Sequence, residues 1–135
     1  MGASQRNKGA RGERELAKLL EDYLGVAVTR NLMQTRDGGH DLNGLPVALE
    51  VKRQETLRLQ EWWFQAVTQA TRVAKLPALA WRQNGKQWTF RVPLRLMNPA
   101  WPVNLTADVN IEAFCFAIRE NIPDAVSKVR YGTDS

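Results

Sequence analysis

The stretch Val47-Ala48-Leu49-Glu50-Val51-Lys52-Arg53 sets the fold of this chain. As a strand, its alternation sends Val47, Leu49 and Val51 to one face and Ala48, Glu50 and Lys52 to the other. An acid and an amine then share a face with apolar neighbours, and their desolvation must be offset by an ion pair or a metal ion. Glu-x-Lys alone is common on solvated strands, so the flanking residues decide its meaning. Upstream, Asp37-Gly38-Gly39-His40-Asp41 forms a Gly-rich turn, and Leu42-Asn43-Gly44-Leu45-Pro46 holds the Asn-Gly and proline of a tight reversal. A hairpin there returns Asp41 towards Glu50. Two carboxylates meeting beside an amine make an oxygen-donor site suited to Mg²⁺ or Mn²⁺ and to phosphoryl chemistry.

Working outward, 135 residues are enough for one domain with a real core and too few for two. No apolar run is long enough to cross a bilayer, and the N-terminal residues are too polar for a secretory signal. The single Cys115 excludes an internal disulfide and fits a reducing cytoplasm. A net charge of +5 favours an acidic partner, nucleic acid foremost.

Residues 1–9 read as a mobile basic arm. Arg6, Lys8, Arg11 and Arg14 concentrate positive charge before and within the first helix, as a solvated tail or as phosphate contacts. The helix itself, about 10–24, carries Leu16, Ala17, Leu19, Leu20, Tyr23 and Leu24 on one face and ends at Gly25. At about 100° per residue Glu13 falls inside that apolar stripe, either complementing the helix dipole or acting as a third metal-site acid. A strand follows over 26–30, then a flexible loop from Gln34 to Gly39 leading to the strand with Asp41. A second helix over 59–75 buries Trp63, Ala66, Val67, Ala70 and Ala74. Gln65 and Gln69 share its neighbouring face, as solvated residues or within reach of a phosphate or a metal-bound water. Strands over 78–81 and 87–92 join through Asn84-Gly85. The prolines at 93, 99 and 102 mark an irregular connection packed through Trp101. A last helix over 111–121 presents Ile111, Phe114, Cys115 and Ile118, and beyond 124 the tail is polar and loose. The lone His40, with no His or Cys cluster around it, argues against a zinc site, and most of the five tryptophans are expected in the core.

The order helix with Glu13, strand with Asp41, strand with Glu50-Val51-Lys52, helix with Gln69 resembles the PD-(D/E)XK nuclease superfamily. Within it, Lys8-Gly9-Ala10-Arg11-Gly12-Glu13 is most similar to the start of the small Holliday junction resolvases of archaea and phages. The resemblance covers about residues 8–92, with His40 standing where the superfamily pattern has proline. It implies an α/β fold with a mixed central sheet flanked by helices, a core over 10–92 and a C-terminal extension over 93–123. It further implies Glu13, Asp41, Glu50 and the Val51 carbonyl as Mg²⁺ ligands, with Mn²⁺ a substitute. Lys52 would be the catalytic lysine, and Gln69, or Gln65, the glutamine of the following helix. Arg36, His40, Arg53 and Gln65 join the basic residues of the first helix as DNA contacts.

The expected function is therefore Mg²⁺-dependent cleavage of branched or duplex DNA, a four-way junction foremost, leaving 5′-phosphate and 3′-hydroxyl ends. A homodimer without membrane association or small-molecule cofactor would suit it. A general nicking, end-processing or restriction-like nuclease would share the site. A basic DNA-binding module without catalysis, or an RNA-binding accessory protein, would make the acid and lysine set coincidental.

Overall fold

A computed structural model describes residues 2–32 and 40–121, and side chains from Lys8 to Leu32 and from His40 to Glu120. The Arg6 side chain, the whole loop over 34–39 with Arg36, and the tail beyond 124 lie outside that description. The strand over Val47–Arg53 (β3) has the two faces its alternation requires, with Val47, Leu49 and Val51 buried in the larger of two hydrophobic clusters. It pairs in parallel with β4 (Leu76–Arg82), residue for residue from Val47↔Leu76 to Arg53↔Arg82. A parallel neighbour needs a crossover, supplied by the helix Leu59–Arg72, here α2.

The remaining strand pairs are antiparallel: β1 (Thr29–Arg30) with β2 (Leu42–Asn43), β2 with β3, β4 with β5 (Thr89–Pro93), and β5 with β6 (Thr106–Val109). The sheet is therefore mixed, and its six strands among the described residues lie in chain order. The helices α1 (Gly2–Leu24) and α3 (Ile111–Asn121) pack on one side. Leu16 and Leu20 of α1, Leu49 and Ala78 of the sheet and Phe114 and Ile118 of α3 are sealed from solvent there. Phe90 stacks on Phe114 with ring centroids 4.3 Å apart. Each such side chain contributes about 1.5–3 kcal/mol by leaving water. On the opposite side Trp62 and Ala66 of α2 cover Leu79 and Trp81. This is the expected α/β architecture, with the Glu50 and Lys52 face turned towards the α2 side.

Several local expectations are corrected. The basic arm is, from Gly2 on, part of α1, which runs unbroken to Leu24. The strand over 26–30 contracts to its last two residues, and Asp41 sits immediately before β2. In α2 the buried stripe is Trp62, Ala66 and Ala70; Trp63 is half-buried, Val67 and Ala74 are exposed, and the helix stops at Arg72. Two adjacent tryptophans leave the helical phase undetermined by one residue, and the sheet selects Trp62. The proline-rich stretch contains a 3-10 turn (Leu94–Leu96) and the edge strand β6, while Trp101 is 44% exposed instead of buried. Tyr23 lies half outside the α1 stripe at 38% exposure. Trp62, Trp81 and Trp88 are core residues as expected, and the last helix keeps its expected bounds.

Gly12 determines how close α1 comes to β3. A Cβ at that position would lie 2.6 Å from Cβ of Arg53, too close for any real contact, whereas one at Gly9 would meet nothing within 4 Å. Helix propensity favours alanine over glycine by about 1 kcal/mol at either site. Gly9→Ala should therefore stabilise the protein by up to about 1 kcal/mol. Gly12→Ala should destabilise it by roughly 1–3 kcal/mol as α1 is forced off the strand. Urea denaturation followed by tryptophan fluorescence separates the two signs.

Candidate active site

β2 is short and pairs with β3 at Leu42↔Leu49, so the Val51 N–H needs an acceptor beyond the ladder. Asp41 provides it: Val51 N donates to Asp41 Oδ2 at 2.7 Å. The Asp41 backbone is also tied on both sides, its N–H donating to Leu49 O at 2.9 Å and its carbonyl accepting from Asn31 N at 2.8 Å. A buried carboxylate is thus fixed against the strand that carries Glu50 and Lys52.

Glu50 and Lys52 stand two residues apart on the same face, with Lys52 Nζ 3.8 Å from Glu50 Oε2. The other Glu50 oxygen, Oε1, is buried and makes no hydrogen bond. Glu13 enters from α1 at 8% exposure, where Arg30 Nε donates to its Oε1 at 2.8 Å. Glu13, Asp41, Glu50, Val51 and Lys52 all line one cleft of about 600 Å³. Lys8, Arg53 and Arg58 add positive charge to its wall.

Burial pushes the Asp41 carboxyl well above the usual carboxylate range, and the Glu50 charge adds to the rise. The Val51 hydrogen bond works against it, Glu13 adds a smaller push upward, and Lys52 pulls down. Glu50 is raised as well, first by burial, with Lys52 lowering it and Glu13 raising it further. These are oxygen donors whose charges the protein itself leaves undercompensated, which is what a hard divalent cation relieves. The orphaned Glu50 Oε1 beside Asp41 and Val51 fits such an ion. Among the described residues, no three His, Cys, Asp or Glu side chains are drawn together as a ready metal cage. Glu13 is engaged by Arg30 instead.

Other expected residues fall elsewhere. His40 is buried, with Nε2 2.9 Å from Asn43 Oδ1, and so does not present its ring as a surface contact. Arg11 lines an adjoining hollow and Arg14 is exposed on α1. Gln65 and Gln69 are half-buried on α2 and are not part of the cleft wall. Sequence reasoning missed Arg30, which fixes Glu13, and Glu55 and Asn84 at the cleft rim. Arg30 carried no local signal, because only the fold brings the end of β1 to α1.

A family model described as phage putative PDDEXK endonuclease matches residues 4–114. No curated protein matches the chain in sequence. Among solved structures the chain is similar to Hjc, a Holliday junction resolvase of the archaeal hyperthermophile Archaeoglobus fulgidus, with 22% identity and a TM-score of 0.48. That match covers 81% of this chain and 88% of the other.

The raised acids make stability depend on pH with a definite sign. A carboxyl raised on folding stabilises fully below its unfolded value, about 4, and that contribution is lost as pH rises through the folded value. Asp41→Asn keeps an oxygen for the Val51 N–H and removes the loss. The metal-free variant should exceed wild type in stability at neutral pH, with the difference vanishing towards about pH 4. Mg²⁺ should stabilise wild type, by about 2.7 kcal/mol at a hundredfold excess over its Kd, and have far less effect on the variant. Denaturation curves across pH, with and without Mg²⁺, check both.

Proposed function

The chain belongs to the phage putative PDDEXK endonuclease family, and from that premise we propose that it hydrolyses phosphodiester bonds of branched DNA with Mg²⁺, four-way junctions being the preferred substrate. The observation that carries the reading is the meeting of Glu13, Asp41, Glu50 and Lys52, from separate parts of the chain, on one cleft. A non-catalytic binding module gains nothing from burying two undercompensated carboxylates beside a lysine.

Asp41, Glu50 and the Val51 carbonyl would hold the ion, with Glu13 as the outer member of the set. When bound, Mg²⁺ supplies Lewis-acid activation of the phosphate and a lower pKa for the attacking water. The protein's own residues do the rest. Lys52, kept 3.8 Å from Glu50, offers its ammonium to a non-bridging phosphate oxygen, where negative charge accumulates in the transition state. Arg30 holds Glu13 in place at the cleft. Lys8, Arg53 and Arg58 draw the backbone into the cleft and carry no base preference. Arg11 and Arg14 extend that charge along α1, with Arg6 and Arg36 as further candidates. His40, Gln65 and Gln69 act at most behind the cleft wall, in orienting the acids.

A four-way junction presents two equivalent strands, which a homodimer with paired sites would cut symmetrically. Mn²⁺ would substitute for Mg²⁺, and cleavage would leave 5′-phosphates. No helix among the described residues is long and apolar enough to cross a membrane, in keeping with work in the cytoplasm of an infected bacterial cell. A nicking or end-processing nuclease acting on ordinary duplex is the second reading, and the same cleft would serve it.

Labelled four-way junction, fork, flap and linear duplex, offered with Mg²⁺, Ca²⁺ or EDTA, separate these readings. Wild type should make paired incisions in the junction with Mg²⁺ alone. Glu50→Gln should lose at least about 10³-fold in rate and Lys52→Ala about 10²–10³-fold, both still binding DNA. Equal attack on plain duplex would remove the junction preference and leave the nuclease. Binding without metal-dependent cutting by wild type would remove the enzyme.

A further inference from the structure

Three separate parts of the chain converge on the carboxylate of Glu55. Lys8 Nζ, from α1, donates to Oε2 at 3.1 Å, and Arg53 NH1, from the end of β3, donates to the same oxygen at 3.1 Å. The backbone N–H of Asn84, in the β4–β5 turn, lies 3.0 Å from both oxygens. Arg53 is itself steadied by a second hydrogen bond from NH2 to Asn84 Oδ1. Two cations and a backbone N–H around one anionic group are the donor set that also binds the non-bridging oxygens of a phosphate.

The position is as informative as the chemistry. Lys8, Arg53 and Glu55 line the cleft that holds Asp41, Glu50 and Lys52. Lys8, Arg53 and Asn84 also line the adjoining hollow of about 370 Å³, whose other lining residues are Arg11, Gly12 and Glu15, three cations against one acid. The cradle therefore bridges the acid cluster and a basic depression, where a strand passing through the cleft would continue. Its occupant is replaceable: the Glu55 side chain is 47% exposed and belongs to the connection between β3 and α2. Exposed ion pairs of this kind hold weakly, whereas a bound phosphate adds the release of condensed counterions.

Resting on the nuclease reading, we propose that Lys8, Arg53 and the Asn84 N–H form a binding subsite for a DNA backbone phosphate beside the cleavage centre, and that Glu55 fills it until DNA arrives. Glu55 is then an internal competitor. It neutralises the cradle in the free protein and taxes ligands that reach the cleft without a phosphate at this second point.

The test measures binding of a fluorescent four-way junction, in Ca²⁺ to suppress cleavage, for the full chain across a range of salt. Glu55→Gln keeps the shape and removes the competing charge, so it should bind roughly three- to tenfold tighter, with a steeper salt dependence. Lys8→Gln should weaken binding more in the Glu55→Gln background than in wild type, where the freed Glu55 partner masks part of the loss. Should Glu55→Gln fail to fold, Glu55→Asp, which withdraws the carboxylate from its donors, must bind tighter than wild type. Equal or weaker binding by the folded variants, or a Lys8 effect of the same size in both backgrounds, would overturn the proposal. If wild type binds and cuts DNA while Glu55→Gln gains nothing, the subsite fails and the nuclease stands. If wild type neither binds nor cuts any DNA, both fail.

Discussion

One hydrogen bond, from the Val51 N–H to the Asp41 carboxylate at 2.7 Å, ties the chemistry of this protein to its fold. A charge-assisted bond of this kind contributes about 1.5–3 kcal/mol, offsetting part of what it costs to bury the carboxylate. It leaves Asp41 no freedom relative to β3. Glu50 precedes Val51 by one residue and Lys52 follows it, so a single backbone donor sets the spacing of an acid, a second acid and an amine. Where β2 runs out of ladder, the side chain of Asp41 takes over the pairing, and the end of one strand becomes the start of a site.

The same economy governs α1. Leu16 and Leu20 anchor it to the sheet with no exposed surface, and Glu13, one turn earlier on the same stripe, is carried to the cleft. The absence of a side chain at Gly12 allows the approach, and Arg30 meets the carboxylate when it arrives. Helix packing and active-site geometry are thus one arrangement. The cost is electrostatic: burial raises the carboxyls of Asp41 and Glu50, and neighbouring acids push in the same direction, Glu50 and Glu13 on Asp41 and Glu13 on Glu50.

What was legible in the sequence was what local physics determines. The alternation of β3, the Asn84-Gly85 turn and the stripe of α3 each lie within a few residues of chain, and each is found where the pattern puts it. Glu50 and Lys52 could be put on one face because both lie within β3, and Glu13 on the α1 stripe because it precedes Leu16 by three residues. Register between distant elements was not. Nothing near Arg30 or Asn84 announces that one will meet α1 and the other Glu55. The Trp62-Trp63 pair offers two helical phases of equal hydrophobicity, and only contact with Leu79 and Trp81 chooses between them. β6 alternates over just four residues after three prolines, too short a signal to stand apart from a loop.

The one-for-one alignment of β3 with β4 has a consequence for how this protein can err. A slip of a single residue would turn Glu50 and Lys52 into the oily layer beneath α1 and expel Leu49 and Val51, an arrangement too costly to populate. The aliphatic side of the strand therefore proofreads the ionic side. A chain that folds at all has its charged residues facing the right way, and assembly needs no separate quality check on the cleft.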